Sequence, residues 1–298
     1  GLAEIVEAAE ATPAQLTAHL CNSGMMVVDG AHLYGLLAEV RANNVKKERY
    51  LTDIVRFARD GGLGCAFVSG AEDELMGIDT RADLAIAEAN IQTRLRVAAM
   101  AGGATLIDPQ TVFFSFDTRI GRDVIIEPGV FFGPGVSIGD GAHIRAYSHV
   151  EGAEIGEGAS VGPFARLRPG TRLKAGAHVG SFVEAKNSTL GEDAKANHLT
   201  YLGDADIGSG ANIGAGTITC NYDGFAKSTT VIGQGAFIGS NTALVAPVSI
   251  GAGAVVGAGS TITKDVAEDA LAVARARQTE SPAWAAKRRA KHTPGDTD

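Results

Sequence analysis

From Ile120 onward the sequence repeats an aliphatic or aromatic residue every six positions, which restricts the fold more than any other feature. The repeat occupies Ile120, Ile126, Phe132, Ile138, Ile144 and Val150, then Ile155, Val161, Leu167, Leu173 and Val179, and it returns from Ile232 to Ile262. Irregular turns at 185–207 and a gap at 219–231 interrupt it. A short fixed period marks a solenoid in which neighbouring coils bury a shared core. The pattern therefore predicts a three-sided parallel β-helix with coils of about 18 residues.

The first hundred residues carry a different pattern. Apolar runs at 24–30 and 65–70 predict buried strands, whereas the segments 32–41, 50–59 and 81–100 have helical spacing, the last with Ala and Leu on one face. Strands that alternate with helices favour an α/β fold with a mainly parallel sheet. We therefore predict three regions: an α/β region over 1–103, the β-helix over 104–267, and a helix with a polar, partly basic tail over 268–298.

Composition excludes several classes of partner. The net charge is −8 and the sequence pI is about 5.4, whereas nucleic-acid binders usually carry a basic footprint. No apolar run approaches the length that spans a bilayer, and no charged-then-apolar leader opens the chain. The three cysteines are widely spaced and lack a CxxC pair. We expect a cytoplasmic protein that binds neither membranes nor nucleic acid.

The stretch GPFARLRPG, at 162–170, carries two cations in otherwise neutral sequence. Arg168 and Lys186 are one predicted coil apart, so they should stack on one outer face, and Arg166 should stack on Glu184 by the same spacing. Like charges opposed across a ladder destabilise a sheet. Either an anionic ligand binds between Arg168 and Lys186, or the two belong to a solvated charged face.

Small residues occupy another predicted column. Ala215, Ser240 and Ala258 each lie two residues after an inward aliphatic residue. Such a column either forms a groove for a long, thin ligand or suits tight coils and subunit packing. His198 precedes this column and is a candidate general base, because imidazole titrates near neutral pH; a purely structural histidine is the alternative.

Three long segments resemble one enzyme family. They are RLRPGTRLKAGAHVGSFVEAKNS, KANHLTYLGDADIGSGANIGAGTITCNYDG and IGSNTALVAPVSIGAGAVVGAGSTITKDV. They resemble bacterial bifunctional N-acetylglucosamine-1-phosphate uridyltransferase/glucosamine-1-phosphate acetyltransferases of the GlmU type. The resemblance implies a left-handed parallel β-helix that forms a homotrimer and transfers acetyl from acetyl-CoA to glucosamine 1-phosphate, for synthesis of UDP-N-acetylglucosamine.

The resemblance also implies roles for individual residues. The general base falls on His198, with Glu184 supporting the sugar-phosphate site. Sugar-phosphate ligands fall on Arg168, Lys186, Tyr201 and Asn212. Contacts to acetyl-CoA fall on Ala215, Asn221, Tyr222, Ser240 and Ala258, and Lys227 and Arg275 would approach CoA phosphates.

The first region resembles the latter part of a Rossmann-like uridyltransferase domain. The similar segments include GLAEIVEAAEAT and LMGIDTRADLAIAE. Glu7, Asn22 and Thr52 match positions near the nucleotide sugar, and Asp79 falls where the family usually has an Asn that binds Mg²⁺. The family's Gly-rich nucleotide loop has no counterpart in this sequence. We therefore expect acetyl transfer from the chain as given, and UMP transfer from UTP with Mg²⁺ only from a full-length protein.

Two other classes of protein remain open. A metal-dependent hexapeptide enzyme that resembles the γ-class carbonic anhydrases would need three histidines that converge at a subunit interface. His143, His149 and His178 do not stack at one-coil spacing within a chain. A scaffolding β-helix would have no affinity for CoA.

Overall fold

The computed structural model describes residues 1–42, 44 and 46–292. The chain forms two compact units, Gly1–Ile91 and Gln92–Asp298. The predicted boundaries near residues 103 and 267 stay predictions. The last six residues of the predicted tail, 293–298, lie outside the described residues.

The first unit is helical. It contains α1 (Gly30–Glu39), α2 (Asp53–Asp60), the first half of α3 (Arg81–Ala101) and short 3₁₀ helices at Gln15–Thr17 and Glu72–Glu74. Asp29 caps α1 by accepting a hydrogen bond from the Ala31 N–H at 2.9 Å. A small core of Leu36, Val40, Ile54 and Ala58 holds α1 against α2.

The strands predicted at 24–30 and 65–70 are absent from the described residues, so that prediction is wrong. Both segments are largely extended, and Met26 and Val28 pack against the helical core while Val27 between them is fully exposed. A strand also needs hydrogen bonds to a neighbouring strand. Asp29 O accepts from His32 and Leu33 at the start of α1, and the backbone bond from these segments to a distant part of the described chain is Leu2 N–H to Cys65 O at 3.3 Å.

The second unit is a solenoid of 26 short strands followed by helix α4 (Trp284–His292). In chain order the strands are β1 (Thr105–Leu106), β2 (Arg119–Ile120), β3 (Ile125–Ile126), β4 (Phe131–Phe132), β5 (Ser137–Ile138), β6 (His143–Ile144), β7 (His149–Val150), β8 (Ala153–Ile155), β9 (Ser160–Val161), β10 (Arg166–Leu167), β11 (Thr171–Leu173), β12 (His178–Ser181), β13 (Glu184–Lys186), β14 (Thr189–Leu190), β15 (Lys195–His198), β16 (Tyr201–Gly203), β17 (Ala205–Ile207), β18 (Asn212–Ile213), β19 (Ile218–Cys220), β20 (Thr230–Ile232), β21 (Phe237–Ile238), β22 (Ala243–Val245), β23 (Val248–Ile250), β24 (Val255–Val256), β25 (Thr261–Ile262) and β26 (Leu271–Ala272).

These strands form three parallel sheets, which make the three faces of a left-handed parallel β-helix. Face A has ten strands, from β1 and β3 through every third strand to β24, with β26 at its end; face B has eight strands from β4 to β25, and face C has eight from β2 to β23. The aliphatic repeat points inward, and Ile126, Ile144, Leu167 and Ile238 are all fully buried. The repeat therefore supplies the shared core that the sequence predicted.

The strand register shows where the coils depart from 18 residues. Leu173 pairs with Leu190 and Val179 with Ala196, which are coils of one residue fewer. Ile213 pairs with Ile238 because the chain inserts a projecting loop between β19 and β20. These shorter coils agree with the irregular turns predicted at 185–207, and the corners absorb the difference.

The solenoid extends beyond both ends of the hexapeptide pattern itself, which runs from Ile120 to Ile262. It begins at β1, and Leu271 of β26 still pairs with Val255, although the sequence pattern leaves the repeat at Glu268. At the first coil, Gln92 and Arg96 of α3 are buried and donate to the carbonyls of Phe114 and Val112. Polar side chains of the second half of α3 thus satisfy backbone groups of the first coil, and Leu95 and Ala99 of the same helix pack against the core.

No helix within residues 1–42, 44 and 46–292 combines the length and the apolar character needed to cross a membrane.

Candidate functional site

The corner between faces A and B brings His198 into line with the small residues. Ser181 pairs with His198 across β12 and β15, and the register of β15 with β18 carries the same position on to Ala215. Continuing through β18, β21 and β24, this column reaches Ser240 and then Ala258. The sequence predicted the alignment of Ala215, Ser240 and Ala258, and the register confirms it; that His198 stands in the same column is visible only in the structure.

The small-residue column, defined as Ala215, Ser240 and Ala258, leaves backbone accessible. Asn241 N–H donates to Ala215 O and Gly259 N–H to Ser240 O, both at 2.8 Å, so successive coils are in direct contact there. Arg275 lies at the far end of the column, where its Nη1 donates to Ala258 O at 2.9 Å. The column thus runs from an imidazole at one end to a guanidinium at the other.

A second group of residues gathers on face B. Arg168 directly follows β10, Glu184 and Lys186 lie in β13, and Tyr201 lies in β16. Lys227 approaches Lys186 from the projecting loop. Lys186 of β13 pairs with Gly203 of β16, and Gly203 lies five residues after His198. At about 3.3 Å per residue and about 4.8 Å between neighbouring strands, the Lys186 backbone lies at most about 21 Å from that of His198.

The Glu184 carboxylate pairs with two arginines, Arg166 and Arg168. Arg168 Nη1 donates to Glu184 Oε1 at 2.8 Å, whereas Arg166 Nη1 lies 3.8 Å from Glu184 Oε2. The prediction that Arg166 pairs with Glu184 is confirmed, and the shorter bond from Arg168 was not predicted. The Arg166 and Glu184 backbones are paired as expected, but the Arg168 side chain lies closer to the Glu184 carboxylate.

Lys186 lies among positive charges, as the stacking argument predicted. The close approach of the Lys227 ammonium lowers the pKa of Lys186, with smaller contributions from burial and from Arg168. The charge of Asp204 acts in the opposite direction. Because ammonium and guanidinium groups held together favour a bound anion, this cluster is suited to a phosphate.

Tyr201 and the loop complete the cluster. A Cβ on Gly203 would lie 2.5 Å from the Tyr201 hydroxyl and 2.7 Å from Asn221 Nδ2, so the absence of a side chain at Gly203 lets both groups approach the sheet. Tyr222 is exposed and its hydroxyl donates to Gly224 O at 2.6 Å. Asp223 accepts bonds from the Phe225 and Ala226 N–H groups, which order the turn and lower the pKa of Asp223.

The structure separates some of the predicted residues. Asn212 lies on face A, three residues before Ala215, and pairs with Lys195 rather than with the face-B cations. Lys227, predicted to approach CoA phosphates, lies beside Lys186. Sequence reasoning missed Asp204 and Asn187, which are hydrogen-bonded to each other at 2.7 Å beneath the loop. Both have a left-handed backbone, which polar turn residues tolerate but which the hexapeptide pattern does not reveal.

The residues predicted for the nucleotide sugar lie in the first unit. Glu7 is close enough to Tyr50 that its charge, after burial and Glu10 and Glu48, raises the pKa of Tyr50, and Thr52 directly precedes α2. Asn22 is exposed on a segment without regular structure.

Asp79, the predicted Mg²⁺ ligand, precedes the first turn of α3. In that turn Asp83 accepts bonds from the Thr80 N–H and hydroxyl at 2.8 Å, which lower the pKa of Asp83. The described residues contain no group of three or more His, Cys, Asp or Glu side chains arranged to hold a metal ion. They therefore do not fit a magnesium site on their own.

Comparison with known sequences connects this site with a family. The family model for bacterial transferase hexapeptide (six repeats) matches residues 117–152 and 229–264. The protein named bifunctional protein GlmU from Paramagnetospirillum magneticum is 58% identical over 291 residues, which cover 98% of this chain and 65% of that protein. Over nearly all of its length the chain is similar to GlmU proteins. GlmU proteins of Rhodospirillum rubrum and Rhizorhabdus wittichii are 62% and 64% identical over 97% and 95% of the chain, and over 65% and 63% of their own lengths.

The chain thus spans a little under two thirds of the length of the GlmU relatives it matches. A solved structure, LpxA, a UDP-N-acetylglucosamine acyltransferase from Bacteroides fragilis, is 20% identical with a TM-score of 0.47, covering 54% of this chain and 68% of that one.

Proposed function

We propose that this chain transfers the acetyl group of acetyl-CoA to the amine of glucosamine 1-phosphate. The observation that carries the proposal is the position of His198, at the head of the small-residue column and on the coil that also bears Tyr201. His198 would serve as the base, and the small-residue column would accommodate a long, thin thioester. The cations on face B would bind a phosphate.

In the proposed reaction the free amine attacks the thioester carbon and His198 accepts the proton that the nitrogen loses. The new C–N bond forms, the C–S bond breaks, and the proton passes to the sulfur of CoA, so that charges and atoms balance. The His198 side chain is exposed and has no hydrogen-bond partner among the described residues, which leaves its imidazole free to face a substrate. Backbone N–H groups at this corner would stabilise the tetrahedral oxyanion.

The phosphate of the amino sugar would bind Arg168 and Lys186, with Tyr201 and Asn212 contacting the sugar. Because Lys227 lies beside Lys186, we assign it to the sugar phosphate rather than to CoA. Glu184 would hold Arg168 in place through its 2.8 Å bond. Acetyl-CoA would lie along the small-residue column with Arg275 near its phosphates, and Asn221 and Tyr222 would contact it from the loop.

We also propose that the protein works as a homotrimer. A ladder of exposed aromatic rings supports association: Tyr147, Phe164 and Phe182 are stacked at 5.2–5.3 Å along the corner between faces A and B, and Leu199 extends the ladder beside His198. We call these four residues the aromatic ridge. A contiguous exposed apolar strip is typical of a protein interface, and its position would place a neighbouring subunit against the site.

For the full-length protein we propose a cytoplasmic enzyme that also transfers UMP from UTP, with Mg²⁺, to give UDP-N-acetylglucosamine. Glu7, Asn22, Thr52 and Asp79 would then contact the nucleotide sugar. Asp79 would need further metal ligands that the described residues do not supply, so no step is derived for that reaction.

Release of free CoA from acetyl-CoA with glucosamine 1-phosphate tests the acetyl transfer. We expect His198→Ala to lower kcat about 10²–10⁴-fold with little change in KM. Arg168→Gln should raise the KM for glucosamine 1-phosphate about tenfold or more, because it removes a charge-assisted contact. Arg166→Gln is the matched control and should change neither constant more than about threefold, since surface ion pairs contribute little. Normal turnover by both the His198 and Arg168 variants would show that the site is assigned wrongly.

A further inference from the structure

Asp204 lies at the corner between faces B and C, directly beneath the projecting loop, which we define as residues 221–229. Its backbone N–H donates to Lys186 O at 3.0 Å, and its carbonyl accepts from the Thr230 N–H at 3.1 Å, where the loop returns to the solenoid. The main chain of Asp204 therefore connects the coil that carries Lys186 to the end of the loop.

The Asp204 side chain secures the beginning of the same loop. Oδ1 accepts from Asn187 Nδ2 at 2.7 Å, and Oδ2 accepts from Nδ2 of Asn221, a residue that is only 8% exposed. Both ends of the loop thus meet one aspartate. Burial raises the pKa of the Asp204 carboxyl, but bonds from the two asparagines and the charges of Lys227 and Lys186 outweigh it and leave the pKa lowered. The group is ionised at neutral pH.

The loop in turn controls where Lys227 lies. Tyr222 and Lys227 form an antiparallel bridge, and Ser228 N–H donates to Asn221 O at 2.9 Å, so Lys227 is tied through the loop backbone to Asn221. Two ammonium groups repel each other, and Lys227 would move away from Lys186 if the loop were free. Asp204 opposes this both by holding Asn221 and by placing a negative charge beside the two lysines.

We propose that Asp204 is a positioning residue that holds Lys186 and Lys227 together as a phosphate-binding pair by fastening both ends of the 221–229 loop. The proposal deepens the acetyl-transfer function and rests on it for the identity of the phosphate ligand. Asp204 itself does not contact the sugar phosphate; a second carboxylate facing the phosphate would repel it, and both Asp204 oxygens are occupied by amides.

The left-handed backbone at Asp204 allows a conservative variant with a matched control. Asp204 has a φ of +49°, in the left-handed region that Asn also tolerates. Asp204→Asn therefore preserves the corner and removes the charge and one acceptor. Asp193 has a φ of +56° at the corner between faces C and A, far along the coil from the loop, so Asp193→Asn is the matched control.

Three measurements on the full chain test the proposal: amide hydrogen exchange of residues 222–229, affinity for inorganic phosphate, and kcat and KM with glucosamine 1-phosphate. In Asp204→Asn we expect exchange in the loop to speed up about tenfold, and phosphate affinity to weaken and the KM for glucosamine 1-phosphate to rise by a similar factor. The kcat should change less than about threefold. Asp193→Asn should match the wild type in all three.

A purely structural role would lower overall stability without this separation of KM from kcat. The proposal is overturned if Asp204→Asn keeps wild-type loop exchange, or if exchange rises while phosphate affinity and KM stay unchanged. If the wild type does not turn over glucosamine 1-phosphate, the proposed function fails; loop exchange and inorganic phosphate binding need no turnover, so they still decide the role of Asp204.

Discussion

The corner between faces A and B has one backbone conformation and two kinds of surface, which meet at His198. On four successive coils, the last of which carries His198, the left-handed position is occupied by large side chains, and on the coils after it by glycine or a small polar residue. The residues are Tyr147, Phe164, Phe182 and Leu199, with φ of 50–58°, and then Gly216, Asn241 and Gly259, with φ of 56–77°. The backbone is the same throughout, so the side chains alone decide what can approach.

This difference has an energetic meaning. A left-handed backbone costs an L-residue with a Cβ roughly 1–2 kcal/mol, and glycine avoids that cost. The chain nevertheless has aromatic residues at Phe164 and Phe182, whose stacking contributes roughly 0.5–1.5 kcal/mol per pair. Rings that remain 47% and 59% exposed despite this cost are better explained by a partner surface than by the stability of the chain itself.

The largest effect should come from placing a large side chain in the small-residue column. Ala215→Leu would place a branched side chain in the small-residue column next to His198. We expect the kcat/KM for acetyl-CoA to fall about 100-fold, since a displacement of about 1 Å at a reacting centre costs that much. Steady-state assays with varied acetyl-CoA measure it. Ala146→Leu is the matched control, because Ala146 lies two residues after an inward aliphatic residue, as Ala215 does, but on a coil that carries the aromatic ridge. An equal loss of kcat/KM in this variant would show that the small-residue column has no special role.

Replacing rings of the aromatic ridge with small side chains should weaken association of the subunits. In Phe164→Ser/Phe182→Ser the aromatic ridge loses its two central rings. We expect the concentration for half-dissociation of the oligomer to rise about tenfold or more, because aromatic side chains dominate interface energies. Sedimentation equilibrium measures the change. Phe116→Ser, at an aromatic residue that is 84% exposed outside the ridge, should leave assembly unchanged, and an unaltered double variant would exclude the ridge from the interface.

The smallest effect concerns His178, which lies on face A in the coil that carries Phe182. Burial lowers its pKa, and the positive charges of Arg145, Lys195 and His198 lower it further. The unfolded chain therefore binds this proton at a higher pH than the folded chain does, so His178 makes stability fall as pH drops below about 6.5. Urea unfolding between pH 7.5 and 5.5 should show a shallower loss in His178→Gln than in the wild type. If the free energy of unfolding fell equally with pH in the variant and the wild type, His178 would not be the source of this pH dependence.

The sequence predicted the parts of this molecule that depend on local spacing. The inward aliphatic residues, such as Leu167 and Ile238, follow from the six-residue period, since each coil must bury one face. The alignment of Ala215 with Ser240 and Ala258 follows from the same period. Helix α3 was found because its spacing is sustained over 21 residues.

Other parts could not be predicted because they depend on neighbours. The segments at 24–30 and 65–70 have strand-like composition, yet a strand exists only where another strand pairs with it. The choice of Glu184 between Arg166 and Arg168 is set by side-chain reach, which a column of residue numbers does not contain.

By itself the sequence determined a solenoid, an interior of aliphatic residues, and a set of cations and small residues at fixed spacing, because a periodic chain can bury its apolar residues in few other ways. Only the tertiary structure decided that His198 heads the small-residue column and that Asp204 joins both ends of the loop. Coil lengths vary by a residue and the loop interrupts the count, so the contacts between coils follow from the register of the folded strands.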